Sequence, residues 1–126
     1  MTGNRIYSIL YIEDNPANRQ LVQLILEQKS YLALSLAERG GEGIAMAKHS
    51  PPDLVLLDIS LPDMSGYAVL TALRTDPATE KIPVIAISGD FPPQIPPNIQ
   101  HMFDKYLPKP IEILPLYQAI DELLHI

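Results

Sequence analysis

Short apolar runs alternate with amphipathic stretches along the whole chain. The run Ile6-Tyr7-Ser8-Ile9-Leu10-Tyr11-Ile12 is β-branched and aromatic and stops at Glu13-Asp14-Asn15-Pro16. This predicts a buried strand ending in an acidic loop. Leu21, Val22, Leu24, Ile25 and Leu26 follow at helical spacing. Asn15 is the candidate N-cap of that helix and Pro16 its first residue, the favoured order at a helix start. Residues 31–37 alternate Leu32, Leu34 and Leu36, the pattern of a half-buried strand. Gly40-Gly41 reads as a break before a short helix carrying Ile44, Ala45, Ala47 and Lys48, which Pro51-Pro52 ends.

Leu54-Val55-Leu56-Leu57 is continuously apolar and is closed by Asp58, as suits a central strand buried on both faces. A helix with Val69, Leu70 and Leu73 comes next and stops near Asp76-Pro77. Residues 83–88 predict a further central strand, Tyr106-Leu107 a short fifth one, and residues 114–124 a closing amphipathic helix. Strand and helix thus alternate about five times. That order specifies an α/β domain with a parallel sheet covered by helices on both faces. No internal repeat or linker interrupts it, so residues 1–126 read as one domain.

Composition narrows the function classes. No apolar run is long enough to cross a bilayer, and the polar start Met1-Thr2-Gly3-Asn4-Arg5 is unlike a secretory signal. Cysteine is absent, which excludes disulfides and thiolate chemistry. The expectation is a cytoplasmic protein without a membrane partner. A net charge of −6, with nine dispersed Lys and Arg residues, argues against nucleic acid as a partner. His49, His101 and His125 have no zinc-ligand spacing.

In an open α/β sheet the working site lies outside the carboxyl ends of the strands. The polar residues at those predicted ends are Glu13, Asp14, Asp58, Ser88 and Lys109. Any one of them alone reads as a turn, cap or surface residue. Together they place three carboxylates in one crevice, where mutual repulsion raises their pKa values unless positive charge is present. Lys109 and a metal are the available sources. All-oxygen ligation with few protein ligands favours Mg²⁺, with Mn²⁺ as a substitute. A hydroxyl, a lysine, a divalent ion and a spare carboxylate suit phosphoryl transfer, which needs positioning and charge neutralisation. Asp58 would be the nucleophile and become an acyl phosphate. Lys109 would bind oxygens of the group in flight, and Ser88 would donate to it on arrival.

Over roughly residues 6–125 the chain resembles the receiver domain of two-component response regulators. The matching signatures are Glu13-Asp14-Asn15, Asp58-Ile59-Ser60-Leu61-Pro62 with Gly66, Ser88-Gly89, and Tyr106-Leu107-Pro108-Lys109-Pro110. The resemblance implies a doubly wound, flavodoxin-like fold with a five-stranded parallel sheet. It implies Asp58 as phosphoacceptor and Mg²⁺ held by Glu13, Asp14, Asp58 and the backbone carbonyl of Ser60. Ser88 falls on the switch hydroxyl, Tyr106 on the switch aromatic, and Lys109 on the phosphoryl-binding lysine, before a cis peptide to Pro110. Ser60 and Asp90 fall where the family tunes the lifetime of the acyl phosphate. The implied partners are a histidine kinase or histidine phosphotransfer protein and a downstream protein. The implied turnover is no more than slow self-dephosphorylation.

One stretch departs from the pattern. The chain has 13 prolines, about twice the usual share, and four of them lie at 92, 93, 96 and 97, where receivers place a fourth helix. These exclude a regular helix before Pro97. They leave room for a remnant over about residues 99–103 with Asn98 as its cap. A shortened or remodelled fourth helix is therefore expected. Two other function classes fit less well. A binding module that keeps the fold without the chemistry usually lacks an acid or the lysine, and both are present. A hydrolase with an aspartyl nucleophile commonly needs a second acid two residues on, where Ser60 stands.

Overall fold

The computed structural model describes residues 5–89 and 96–126. Five parallel strands form one sheet: β1 (Tyr7–Ile12), β2 (Leu32–Ala37), β3 (Leu54–Asp58), β4 (Val84–Ser88) and β5 (Lys105–Pro108). Their spatial order is β2-β1-β3-β4-β5. The described α-helices are α1 (Pro16–Glu27), α2 (Gly40–His49), α3 (Gly66–Arg74) and α4 (Ile113–Leu124). This is the doubly wound α/β architecture that the alternation of elements predicts.

Strand periodicity divides the core in two. Ile9, Tyr11, Leu54, Leu56, Ile85 and Ile87 pack with Val22, Ile25 and Leu26 of α1 and Leu116 and Ile120 of α4. Leu10, Ile12, Val55, Leu57, Val84 and Ala86 point the other way, toward Ala47 of α2 and Val69, Leu70 and Leu73 of α3. Every residue of β3 and β4 is buried, which explains their unbroken apolar runs. The chain leaves β1 toward β2 and later returns to β3 on β1's other side. The order therefore reverses between β1 and β3, and a crevice opens there at the carboxyl ends.

Helix starts follow local chemistry. The Asn15 side chain accepts from the backbone N–H groups of Ala17 and Asn18, with Pro16 at the first helical position, as the sequence predicts. The reading of Gly40-Gly41 as a break needs correction, because both glycines lie in the first turn of α2. Their N–H groups donate to the Asp63 carboxylate at 2.8 and 2.9 Å, so an acid from another loop caps a helix whose own residues could not.

Between β4 and β5, residues 96–104 hold three residues of 3-10 helix, Gln100–Met102. The expected remnant is thus a single turn, and Asn98 does not cap it. Ile99 occupies the cap position without a side-chain hydrogen bond. Pro92 and Pro93 lie outside the described residues. Arg74 fastens the far end of this segment. Its guanidinium donates to the Met102 carbonyl at 2.8 and 3.0 Å and to the Ile82 carbonyl at 2.6 Å, and it pairs with Asp104. Ile99 and Phe103 are buried against the α3 side of the sheet.

The loop after Asp58 is held by close backbone packing at Gly66. Its N–H donates to the Ile59 carbonyl at 2.8 Å. A Cβ there would lie 2.7 Å from Ile59 Cα and 2.8 Å from the Asp58 carbonyl oxygen, neither of which can swing aside. Gly66→Ala is therefore expected to cost roughly 1–3 kcal/mol, read as a lower denaturation midpoint at unchanged m-value. Gly89→Ala is the control, since a Cβ there meets nothing within 4 Å. It is expected to shift stability by less than about 0.5 kcal/mol.

Candidate functional site

Five polar residues converge on the crevice between β1 and β3. Asp58 ends β3 and Ser88 ends β4, while Glu13 and Lys109 directly follow β1 and β5. Asp14 is exposed beside them. The period of two that buries Ile9 and Tyr11 toward α1 continues to Glu13, and the same alternation carries Leu54 and Leu56 on to Asp58. The two carboxylates therefore share one side of the sheet edge. Both are essentially inaccessible to solvent, at 0% and 2% exposure.

The Lys109 ammonium bridges them, with Nζ 3.0 Å from Glu13 Oε1 and 3.2 Å from Asp58 Oδ1. Its backbone is placed by β-pairing, because its N–H donates to the Ser88 carbonyl at 2.9 Å. The Lys109–Pro110 peptide is cis, as the resemblance implies. Asp58 Oδ1 also accepts from the Ser60 N–H at 3.1 Å. Ser60 faces Ser65 across an isolated antiparallel bridge, which folds the loop back toward α3.

Glu13 is the most heavily bonded group of the site. Its Oε1 accepts from the Tyr11 hydroxyl and the Asn18 side-chain amide, each at 3.0 Å, besides Lys109. Its Oε2 accepts from the Asn15 N–H at 3.3 Å. Arg19 donates to the main-chain carbonyls of Glu13 and Asp14 at 2.9 and 2.7 Å and pairs with Glu38. The acidic loop is thus clamped from α1. Sequence reasoning overlooked Tyr11, Asn18 and Arg19. The available signal was the aromatic two residues before the acid, which strand periodicity puts on the same face.

Electrostatics divide the carboxylate pair. Burial, then the hydrogen bond and charge of Glu13, push the Asp58 carboxyl up to about 7. Burial pushes Glu13 up as well, but its hydrogen bond with Asp58 and the ammonium of Lys109 outweigh that and bring it down to about 2. Burial alone would lower Lys109, yet Glu13 and Asp58 hold it above the usual lysine range. Of the two buried acids, it is Asp58 that shows the raising expected of crowded carboxylates. Oxygens of Glu13, Asp14 and Asp58 all lie within 4.8 Å of one another, close enough to ligate one hard cation.

The remaining sequence-predicted residues divide. Ser88 is buried at the sheet edge. Tyr106 lies on the α3 side, its ring 5.5 Å from that of Phe103, which in turn is 6.4 Å from Tyr67. Asp90 lies outside the described residues.

Comparison with known proteins decides the family. The sequence model of the response regulator receiver domain matches residues 9–121. The chain belongs to that family. It is 36% identical over 80 residues to protein PilH of Pseudomonas aeruginosa, covering 64% of this chain and 65% of PilH. It is also 36% identical over 119 residues to the DNA-binding dual master transcriptional regulator RpaA of Synechocystis, covering 92% of this chain and 48% of that protein. The receiver thus spans about half to two thirds of the length of these relatives. Among solved structures, a CheY-like response regulator receiver domain from Methylobacillus flagellatus superposes with a TM-score of 0.84 at 26% identity. That match covers 94% of this chain and 98% of the other.

The raised Asp58 pKa has a consequence for stability. A carboxyl that holds its proton more tightly when folded favours the native state at low pH. That contribution is lost as pH rises from about 4, where the unfolded chain ionises, to about 7. The depressed Glu13 acts in a separate window, losing its contribution only as pH falls from about 4.5 to about 2. Asp58→Asn is accordingly expected to raise the melting temperature in chelator at pH 7.5, by about 3 °C or more. The advantage is expected to shrink toward pH 4.5, followed by differential scanning fluorimetry across that range.

Proposed function

We propose that this receiver accepts a phosphoryl group on Asp58 from a phosphohistidine of a histidine kinase or phosphotransfer protein. The observation that carries this reading is the position of Asp58, a buried strand-end carboxylate 3.2 Å from Lys109 and within ligand distance of Glu13 and Asp14. An Asp58 oxygen attacks phosphorus, forming the O–P bond as the P–N bond to the donor histidine breaks. Lys109 releases its hold on Asp58 and binds an oxygen of the arriving group. Ser88, at the end of the neighbouring strand, donates to another.

Glu13, Asp14 and Asp58 are the protein oxygens that would hold Mg²⁺, with the Ser60 carbonyl as the fourth that the family resemblance implies. The ion supplies neutralisation of charge on the transferring phosphoryl oxygens. Mn²⁺ has the same preference for oxygen ligands. In this reading Ser88 and Tyr106 carry the change outward, toward the aromatic row on the α3 side. Ser60 and Asp90 tune how long the acyl phosphate lasts. The output is altered binding to a downstream protein, without turnover of an external substrate. No described helix is long and apolar enough to cross a membrane.

Incubation with acetyl phosphate and Mg²⁺, followed by intact-mass measurement, is expected to give one phosphoryl adduct. Chelation of the metal is expected to reduce labelling by at least tenfold, and Asp58→Asn to abolish it. An adduct that survives Asp58→Asn would place the chemistry elsewhere. No adduct on the wild type would favour a receiver that binds partners without phosphorylation.

A further inference from the structure

Tyr11 is fully buried in β1 on the side packed against α1 and α4, where its sheet neighbours Ile9, Leu54 and Leu56 are aliphatic. A phenylalanine would fill that space equally well. The hydroxyl has to be explained by what it meets, which is Glu13 Oε1 at 3.0 Å. Asn18, in the first turn of α1, directs its amide at the same oxygen from the helix side, also at 3.0 Å. With Lys109 as the third donor, Oε1 is fully committed to the protein. Oε2 accepts a longer bond, at 3.3 Å, from the Asn15 N–H.

The three donors are not equivalent. Lys109 is shared with Asp58 and, in the reaction proposed above, turns to the phosphoryl group. Tyr11 and Asn18 are neutral and are built into β1 and α1, so they stay in place when the lysine leaves. We propose that Tyr11 and Asn18 are positioning residues that fix the Glu13 carboxylate through Oε1, so that it is held in place for Mg²⁺ whether or not Lys109 is engaged. This inference rests on the reading of Glu13, Asp14 and Asp58 as the Mg²⁺ site. Outer-shell partners of this kind orient a ligating carboxylate, and their loss typically weakens metal binding ten- to a hundredfold.

The test is Mg²⁺ titration of the full chain by isothermal calorimetry, with wild type, Tyr11→Phe and Asn18→Ala. Melting in chelator reports whether each variant is folded, and Asn18→Ala serves if Tyr11→Phe is not. Each folded variant is expected to bind Mg²⁺ about tenfold more weakly than wild type. In acetyl phosphate labelling, the half-saturating Mg²⁺ concentration is expected to rise by a larger factor than the rate at saturating Mg²⁺ falls. Unchanged or tighter Mg²⁺ binding in the folded variants overturns the positioning role. A slower saturated rate without a shift in the Mg²⁺ requirement overturns it as well. If the wild type itself binds no Mg²⁺, the metal site fails first and the positioning role with it, an outcome distinct from the other two.

Discussion

The ammonium of Lys109 lies between two buried carboxylates, and the site is organised around that contact. Removing Glu13 and Asp58 from water carries a desolvation cost, which a nearby counter-charge and well-placed donors must offset. The protein meets it with one lysine reaching both acids, four further donors around them, and a proton held on Asp58 well above the ordinary carboxylate range. Such an arrangement is satisfied but not closed. A cation arriving at the acids could take the place of the proton, and a phosphoryl group could take the place of Asp58 as the lysine's partner.

Sheet topology makes this juxtaposition possible. The reversal of strand order sets β1 beside β3, and parallel pairing brings Ile12 level with Leu57 and Asp58 level with Ile87. The side-chain alternation then sorts the chemistry. Glu13 and Asp58 continue the face packed on α1 and α4, whereas Tyr106 packs on the α2 and α3 face with Phe103. Gly66 holds the connecting loop against the backbone of Asp58, where a side chain would not fit. Strand-end acids and the aromatic row therefore lie on opposite faces of the same sheet.

Much of this was legible in the sequence because strand-end polarity is a strong signal. The run Leu54 to Leu57 suited a central strand, Asp58 and Ser88 each end such a run, and Lys109 follows the short edge strand β5. Features that depend on a partner distant in sequence were not legible. Gly40 and Gly41 looked like a break because glycine is a poor helix former, and the Asp63 carboxylate that starts α2 lies more than 20 residues away. Asn98 looked like a cap, but the turn that follows is too short and too tight to use it. Arg74 gave no hint that it fastens the approach to β5, since most of its acceptors are main-chain carbonyls and its one acid, Asp104, lies 30 residues away. Tyr11 read as an ordinary core aromatic, and only the geometry of Glu13 shows what its hydroxyl meets.

The most direct test of the central claim is a crystal structure with Mg²⁺ and beryllofluoride, a stable mimic of the phosphoryl group. Beryllium is expected to be bonded to an Asp58 carboxylate oxygen, with Lys109 moved from Asp58 onto a fluorine and Ser88 donating to another. Mg²⁺ is expected among Glu13, Asp14 and Asp58, with Tyr11 still donating to Glu13. A structure grown in the same ligands with Lys109 still bridging Glu13 and Asp58, and no adduct on Asp58, would contradict it.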